Sequence, residues 1–551
     1  MIGIDLGTTN SAVSVIEAGF PIVLADPENR RLLPSVVHCT QNDTHVGHQA
    51  LSLPSSAQSV KSLIGQSNIP SSYEGATTRI EEGQIQVRAG DSWLSPIEAS
   101  AEILKTLKAT AEFRLGTPQS EAVITVPAYF NDLQRSQTKE AAERAGLSVQ
   151  RLLAEPTAAA LAYGLERASE HTKVAVYDLG GGTFDISILE MRAGNFEVLS
   201  TAGDTALGGD DFDSVLSDLL DCSLADARKH KVTFDQQDIV EGVTAQEYEN
   251  ACFKLLDRSR RCCERALIDS GLSKEDLDKV ILVGGSTKMP MIRQHVESIF
   301  GQVPDLCLNP DEAVALGAGI QAGLLSGTVQ TLSLLDVTPL SLGIETLGGL
   351  MNVIIPRNST IPCKKGELFT NAADGQTSMK VKVLQGEREF AADNWLLGEL
   401  EVPFTPAPKG QARVGIQFSL DADGLLSVLA RDTVTNTDTT LTIQRSTVDI
   451  TNTAVEKMID DSVDHALEDM DGRVFTEAKM KADELLPSLE EALTLCGAQL
   501  DDETTTMIHQ ARDAVQAAID NKSGHQLKQA VEALDDATEE LASLVMQSLL
   551  G

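Results

Sequence analysis

The chain writes one pattern twice. IDLGTTN, residues 4–10, and DLGGGTFD, residues 178–185, each bring an apolar β-patterned run to an aspartate, turn on glycine, carry a threonine and then resume alternation. Glycine takes turn conformations that other residues resist, so Gly7 lets the amides of Thr8, Thr9 and Asn10 face an anion. Gly181, Gly182 and Thr183 offer the same geometry. Asp5 and Asp178 stand where strand carbonyls run out, suited to collecting Mg²⁺ through its waters, since this ion dehydrates reluctantly. Two such hairpins predict two related lobes that grip one phosphate chain from opposite sides of a cleft.

No GxxxxGK[ST] loop occurs, nor a GxGxxG at the head of a βαβ unit, so the common phosphate and dinucleotide loops are not the source of binding. A third turn, in VILVGGSTKMP, brings Gly284, Gly285 and Ser286 to a helix start. Small residues there let an adenosine approach the backbone closely; a plain helix cap is the alternative.

Length and charge narrow the rest. A chain of 551 residues exceeds one core. A net charge of −37 argues against nonspecific binding to nucleic acid or an anionic membrane, which needs a basic surface. No charged-then-apolar leader precedes the first strand and no uncharged run approaches a bilayer span, so a soluble cytoplasmic protein is expected. The eight cysteines include no CxxC pair and read as reduced thiols. His38, Cys39, His45 and His48 gather in one segment, but adjacent strand residues face opposite ways and DTHVG reads as a hairpin, which argues against a metal centre.

Strands and helices alternate over residues 1–327, as in a mixed α/β domain. AEILKTLKATAEFRLG reads as a helix, EAVITVPAYF as a buried strand, and NDLQRSQTKEAAERAG as a helix from Asn131 to Gly146; the second half begins at Lys173. Residues 328–336 read as a linker. Residues 337–446 alternate over strand lengths between turns such as AADG and DADG, which predicts an all-β sandwich. Residues 447–551 are helical in pattern, including AVEKMIDDSVDHALEDM. This end holds 23 acidic and 7 basic residues, read as solvated helical faces.

IDLGTTNS, VITVPAYFND, AEPTAAALAYG, DLGGGTFD, GDTALGGDDFD, LVGGSTKMP, NPDEAVALGA and LLDVTPLSLGIETLGG occur in this order. The chain thereby resembles the seventy-kilodalton heat-shock chaperones of the DnaK type, over residues 2 to about 450 by motif and beyond by pattern. The resemblance implies an actin-like two-lobed ATPase domain, a β-sandwich peptide-binding domain and an α-helical lid. It implies phosphate contact by Thr8, Thr9, Gly181, Gly182 and Thr183, and Mg²⁺-water contact by Asp5 and Asp178. Lys61 matches the lysine that helps place the attacking water, and Glu155 a carboxylate that orients the site. Pro127, Arg135, Leu334, Leu335 and Asp336 match residues that couple the domains. Ile344, Thr346, Leu347, Phe369, Ala372, Met379 and Val381 match the lining of a peptide groove, although the alternation alone makes them sandwich core.

The implied function is ATP-driven capture and release of unfolded or client polypeptides by a stress-response chaperone, monomeric, using ATP, ADP and Mg²⁺ and a J-domain cochaperone. The iron-sulfur assembly branch of the family is a narrower alternative, favoured by IPRNSTIP and DADGLLSV. A small-molecule kinase on the same fold would share both hairpins but not the groove, linker and lid.

Two departures qualify the resemblance. Between GGDDFD and LVGGS the chain is several dozen residues shorter than the family pattern. ADARKHKVTFDQQ stands there, with Asp226, Lys229 and Thr233 in places comparable to the adenine clamp, so Lys229 is a candidate nucleotide contact. A lid so trimmed leaves the need for an exchange factor open and admits a hydrolysis-poor holdase. In the linker, LSLLD carries Ser333 inside an otherwise apolar stretch, which predicts weaker docking because a hydroxyl replaces buried methyl groups.

Overall fold

The structure is a computed structural model that describes residues 1–66, 68–69, 73, 75–164, 171–192, 194–204, 206–234, 237–305, 309–329, 332–442, 462 and 465–550. The chain forms two compact units, one of residues 1–341, 354–380 and 397–456, the other of residues 342–353, 381–396 and 457–551.

The first unit holds the two lobes that the repeated pattern predicts. In the first lobe, β1 (Ile2–Asp5), β2 (Asn10–Glu17), β3 (Phe20–Val23), β4 (Glu121–Val126) and β5 (Ser148–Ala154) lie in the order β5-β4-β1-β2-β3, with β1 parallel to β4 and antiparallel to β2. In the second, β6 (His171–Leu179), β7 (Phe184–Arg192), β8 (Asn195–Asp204) and β9 (Lys279–Val283) lie in the order β9-β6-β7-β8, with β6 parallel to β9 and antiparallel to β7. Each hairpin with its parallel neighbour is therefore one unit of fold used twice. Near-continuous burial of β4 and β6 fits strands covered on both faces.

Helices cover these sheets. The first lobe carries α1 (Pro96–Leu115), opened by the Ser95–Glu98 capping box, and α2 (Asp132–Arg144), opened by Asn131 and Gln134. Gly146, at φ 73°, follows the end of α2 in the backbone region glycine favours. Next come α3 (Glu155–Gly164), α4 (Gly209–Leu220), α5 (Leu224–Thr233), α6 (Phe253–Ser270), α7 (Pro290–Phe300) and α8 (Ala313–Leu325). Small residues bring α8 against α3 and β1: a Cβ on Gly317 would lie 1.7 Å from Ala158 O of α3, and one on Gly3 would lie 2.2 Å from the Ala318 carbonyl carbon.

The linker is a strand. β10 (Ser333–Val337) pairs parallel with β8, Asn195 opposite Ser333 and Phe196 opposite Leu334, and extends the second lobe's sheet. Ser333 is exposed; its Oγ donates to Asn195 Oδ1 at 2.5 Å. The expected buried hydroxyl is thus corrected: Ser333 lies exposed at the start of β10, before the residues that pair with Thr360 and Ile361. Residues 330 and 331 lie outside the described residues.

Also in the first unit, Cys363–Phe369, Val414–Leu420, Leu426–Asp432 and Thr437–Thr442 form an antiparallel sheet in that order. Every second residue of Val414–Leu420 is buried, the alternation expected of a sheet covered on one face. The His38 segment is the expected hairpin, with His38 opposite His45 and Cys39 opposite Thr44.

In the second unit, residues 342–344 pair antiparallel with residues 383–385, Ile344 opposite Val383. Helices Ala466–Cys496, Asp502–Asp520, Gly524–Ala537 and Glu539–Leu550 bury Ala482, Leu489, Ile508, Val515, Leu527 and Leu534 against one another. Arg388 donates to both carboxylate oxygens of Asp469, at 2.5 and 3.0 Å, and fixes the first of these helices to the loop after Gln385. The strands expected over 337–446 are thus shared between the units. The expected lid start over 447–461, with 463 and 464, and the sandwich end over 443–446 lie outside the described residues.

Candidate active site

The turn between β1 and β2 and the turn between β6 and β7 meet face to face. A Cβ on Gly181 would lie 2.0 Å from Thr9 Oγ1, and one on Gly182 would lie 3.3 Å from Thr8 Cγ2. The second turn is held from behind: Gly209 N donates to Gly180 O at 2.9 Å, Asp210 N to Gly181 O at 2.8 Å, and Ser286 Oγ to Gly180 O at 2.8 Å. Gly284 needs to be glycine twice over, at φ 83° and with Leu179 O only 2.2 Å from the place of a Cβ.

Between the turns opens a cavity of about 330 Å³. Of the residues expected to bind nucleotide, Asp5, Gly7, Thr8, Thr9, Asn10, Glu155, Asp178, Gly181, Thr183, Gly284, Gly285 and Ser286 line it. Gly182 stands beside them against Thr8. Lys61, on the turn Val60–Leu63, is only 4% exposed and forms an ion pair with Glu155.

Lys229 is corrected. It points to solvent, pairing with Asp226 at 3.0 Å, while Arg228, Lys231 and Val232 of the same helix line the cavity. Arg228 is braced by Asp210 at 2.8 Å and Asp213 at 3.0 Å, and Lys231 by Asp213 at 2.6 Å. α5 buries only Ala227, so its apolar pattern gave no signal of which face turns inward.

The electrostatics centre on carboxylates. Burial pushes Asp5 up to about 7, helped by the charge of Glu155 and opposed by Lys61 and the Thr125 hydroxyl. Asp178 is raised well above the usual range, by burial first and then by Glu155, Asp185 and Asp5. Asp185 is pushed up to about 8 by burial and Glu155. Sequence reasoning missed Asp185, although it closes DLGGGTFD and pairs across the hairpin with Asp178. Asp178 Oδ2 is buried with no hydrogen-bond partner among the described residues. The charge of Lys61 opposes the rise at all three aspartates. Such a set fits a divalent cation, whose charge would offset the crowding and whose waters would satisfy the orphaned oxygen.

The coupling residues also converge. Pro127 is buried at the end of β4. Arg135 donates to Phe130 O at 2.9 Å, Ala128 O at 3.0 Å and Asp423 O at 3.2 Å, and attracts Asp336 of the linker. Leu334 packs on the buried core of the second lobe, and Leu335 is 44% exposed. The groove candidates divide: Ile344, Thr346, Leu347 and Val381 belong to the second unit, Phe369, Ala372 and Met379 to the first. Ile344 and Val381 are buried, whereas Leu347 is 60% exposed.

Among the described residues no helix is long and apolar enough to cross a membrane. In comparison with known families, the model described as Hsp70 protein matches residues 1–232 and 222–547.

Proposed function

The chain belongs to the Hsp70 family, and from that premise we propose that its cavity binds and hydrolyses ATP to drive capture and release of extended apolar polypeptide segments. Members of this family bind ATP and ADP, normally with Mg²⁺, and act as chaperones on client polypeptides with J-domain partners. The observation that carries the reading to this chain is the pair of facing glycine turns over a buried set of carboxylates with Lys61 among them.

Each residue has work suited to its surroundings. Thr8, Thr9, Gly181, Gly182 and Thr183 hold phosphate oxygens. Asp5 and Asp178 would hold Mg²⁺, which would supply neutralising charge at those oxygens. Lys61, steadied by Glu155, stabilises negative charge developing at the terminal phosphate and helps place the attacking water. Asp185, opposite Asp178 across the hairpin, adds to the crowding of carboxylates that a bound cation would relieve.

Coupling is supported by contacts on both lobes. Beyond the DADG turn on the first lobe, Arg357 donates to Asp269 of α6 at 2.7 Å, and Asn358 accepts from Thr201 N of β8 at 3.2 Å. Two separate segments of the first unit's β region thus meet the two lobes. Single-turnover ATP hydrolysis with and without an unfolded peptide tests the reading. Stimulated phosphate release supports the chaperone, transfer to a sugar would make the chain a kinase, and binding without turnover would leave a holdase.

A further inference from the structure

Ser59 precedes the turn that carries Lys61, and it reaches the opposite lobe. Its Oγ donates to Asp210 Oδ2 at 3.2 Å. Asp210 is the second residue of α4 and is fixed on its own side twice, by its amide on Gly181 O at 2.8 Å and by Arg228 on Oδ1 at 2.8 Å. Ser59 itself sits at φ 52° and ψ 28°, a left-handed conformation unfavourable for serine. The turn keeps it there, since Ser59 O accepts from Ser62 N at 3.2 Å and from Ser62 Oγ at 2.7 Å. Past Lys61 the same segment is anchored within the first lobe, where Gly65 N donates to Gln137 Oε1 at 2.8 Å.

Lys61 thus stands between an anchor on its own lobe and a tie to the helix that backs the other lobe's phosphate turn. We infer that Ser59 is a positioning residue: its hydrogen bond to Asp210 sets the Lys61 turn against the second phosphate turn and holds the cleft closed on its nucleotide. This rests on the reading of the cavity as an ATPase site. Without the hydroxyl, Lys61 keeps Glu155 but follows the first lobe alone, so product leaves faster while the chemical step slows. A residue that served only the fold would lower thermal stability without this opposed pair of effects.

The test uses the full chain, ATP and fluorescent ADP. In Ser59→Ala, ADP release should rise and single-turnover hydrolysis fall, each by roughly three- to tenfold, the weight of one hydrogen bond. The nucleotide-free melting temperature should hardly move. Ser59→Asn, which tolerates the left-handed backbone and keeps a donor, should restore both rates. In an Asp210→Ala background, Ser59→Ala should add nothing. Rates within twofold of the parent in Ser59→Ala, or an undiminished effect in the Asp210→Ala background, would overturn the assignment. If the parent chain binds no ATP, the ATPase reading fails before any variant is made, and the inference falls with it.

Discussion

Arg135 donates its Nη1 to the carbonyl oxygen of Asp423, 3.2 Å away and 288 residues later in the chain. The contact has company. Leu152 N donates to Asp423 Oδ1 at 2.9 Å, Leu426 N donates to Asp132 Oδ1 at 2.9 Å, and Lys139 approaches Asp423 Oδ2 at 3.5 Å. The charges of Asp336 in the linker and Asp185 on β7, opposite Asp178, act on the same guanidinium. One buried cation is therefore shared by the active site, the linker and the sheet, which is the arrangement needed for events at one to be felt at another.

Arg135→Ala removes that shared neighbour and leaves Asp336 and Asp423 less compensated. Peptide stimulation of ATP hydrolysis should drop by roughly tenfold or more, the weight of one to two charge-assisted hydrogen bonds. Steady-state phosphate release with and without peptide measures it, and stimulation equal to the parent's would sever Arg135 from coupling.

Asp132 makes the docking of the DADG turn pH-dependent. Burial pushes its carboxyl up to about 6, with Asp421 adding to the rise and the Leu426 amide and Arg135 opposing it. Released from the turn, Asp132 returns toward the ordinary aspartate range, so the docked form binds a proton more tightly. Docking is then strongest below about pH 4 and weakens as pH rises through about 6. Energy transfer between probes on the first lobe and on the strand Thr437–Thr442 should fall between pH 5 and 7.5, and Asp132→Asn should flatten that change.

Ser333→Leu should not tighten the linker. The hydroxyl is exposed at the start of β10 and holds Asn195, so leucine forfeits a hydrogen bond and buries little. Cleavage of the linker by protease should be as fast as in the parent or faster; slower cleavage would return Ser333 to a buried role.

What could be read from the sequence was local. Asp5, Gly7 and Thr8, repeated as Asp178, Gly181 and Thr183, are few residues apart, and turn chemistry sets their geometry without help from the rest of the chain. Asn131 opened α2 as expected because a capping box is a matter of neighbours. Lys229 failed because α5 has no apolar stripe to fix its rotation, and Ser333 because its exposure depends on register with β8, more than a hundred residues away. The partition of the sandwich strands between two units is longer-range still. The crossing of α3 and α8 was invisible for the same reason, though it depends on glycine: with Ala158 O 1.7 Å from a Cβ, Gly317→Ala should cost about 1–3 kcal/mol or more and lower the melting temperature.

Asp185 makes stability depend on pH. Its carboxyl, 2% exposed and pushed up to about 8, favours the folded state only while protonated. Folded stability therefore falls as pH rises from the ordinary aspartate range toward 8, the loss being complete above it. Asp185→Asn removes that liability and keeps the shape, so the nucleotide-free variant should melt several degrees higher than the parent at pH 8, with a smaller gain at pH 6. Calorimetry at the two pH values decides it; a variant that melts lower at pH 8 would show the carboxylate to be compensated by a partner other than a bound cation.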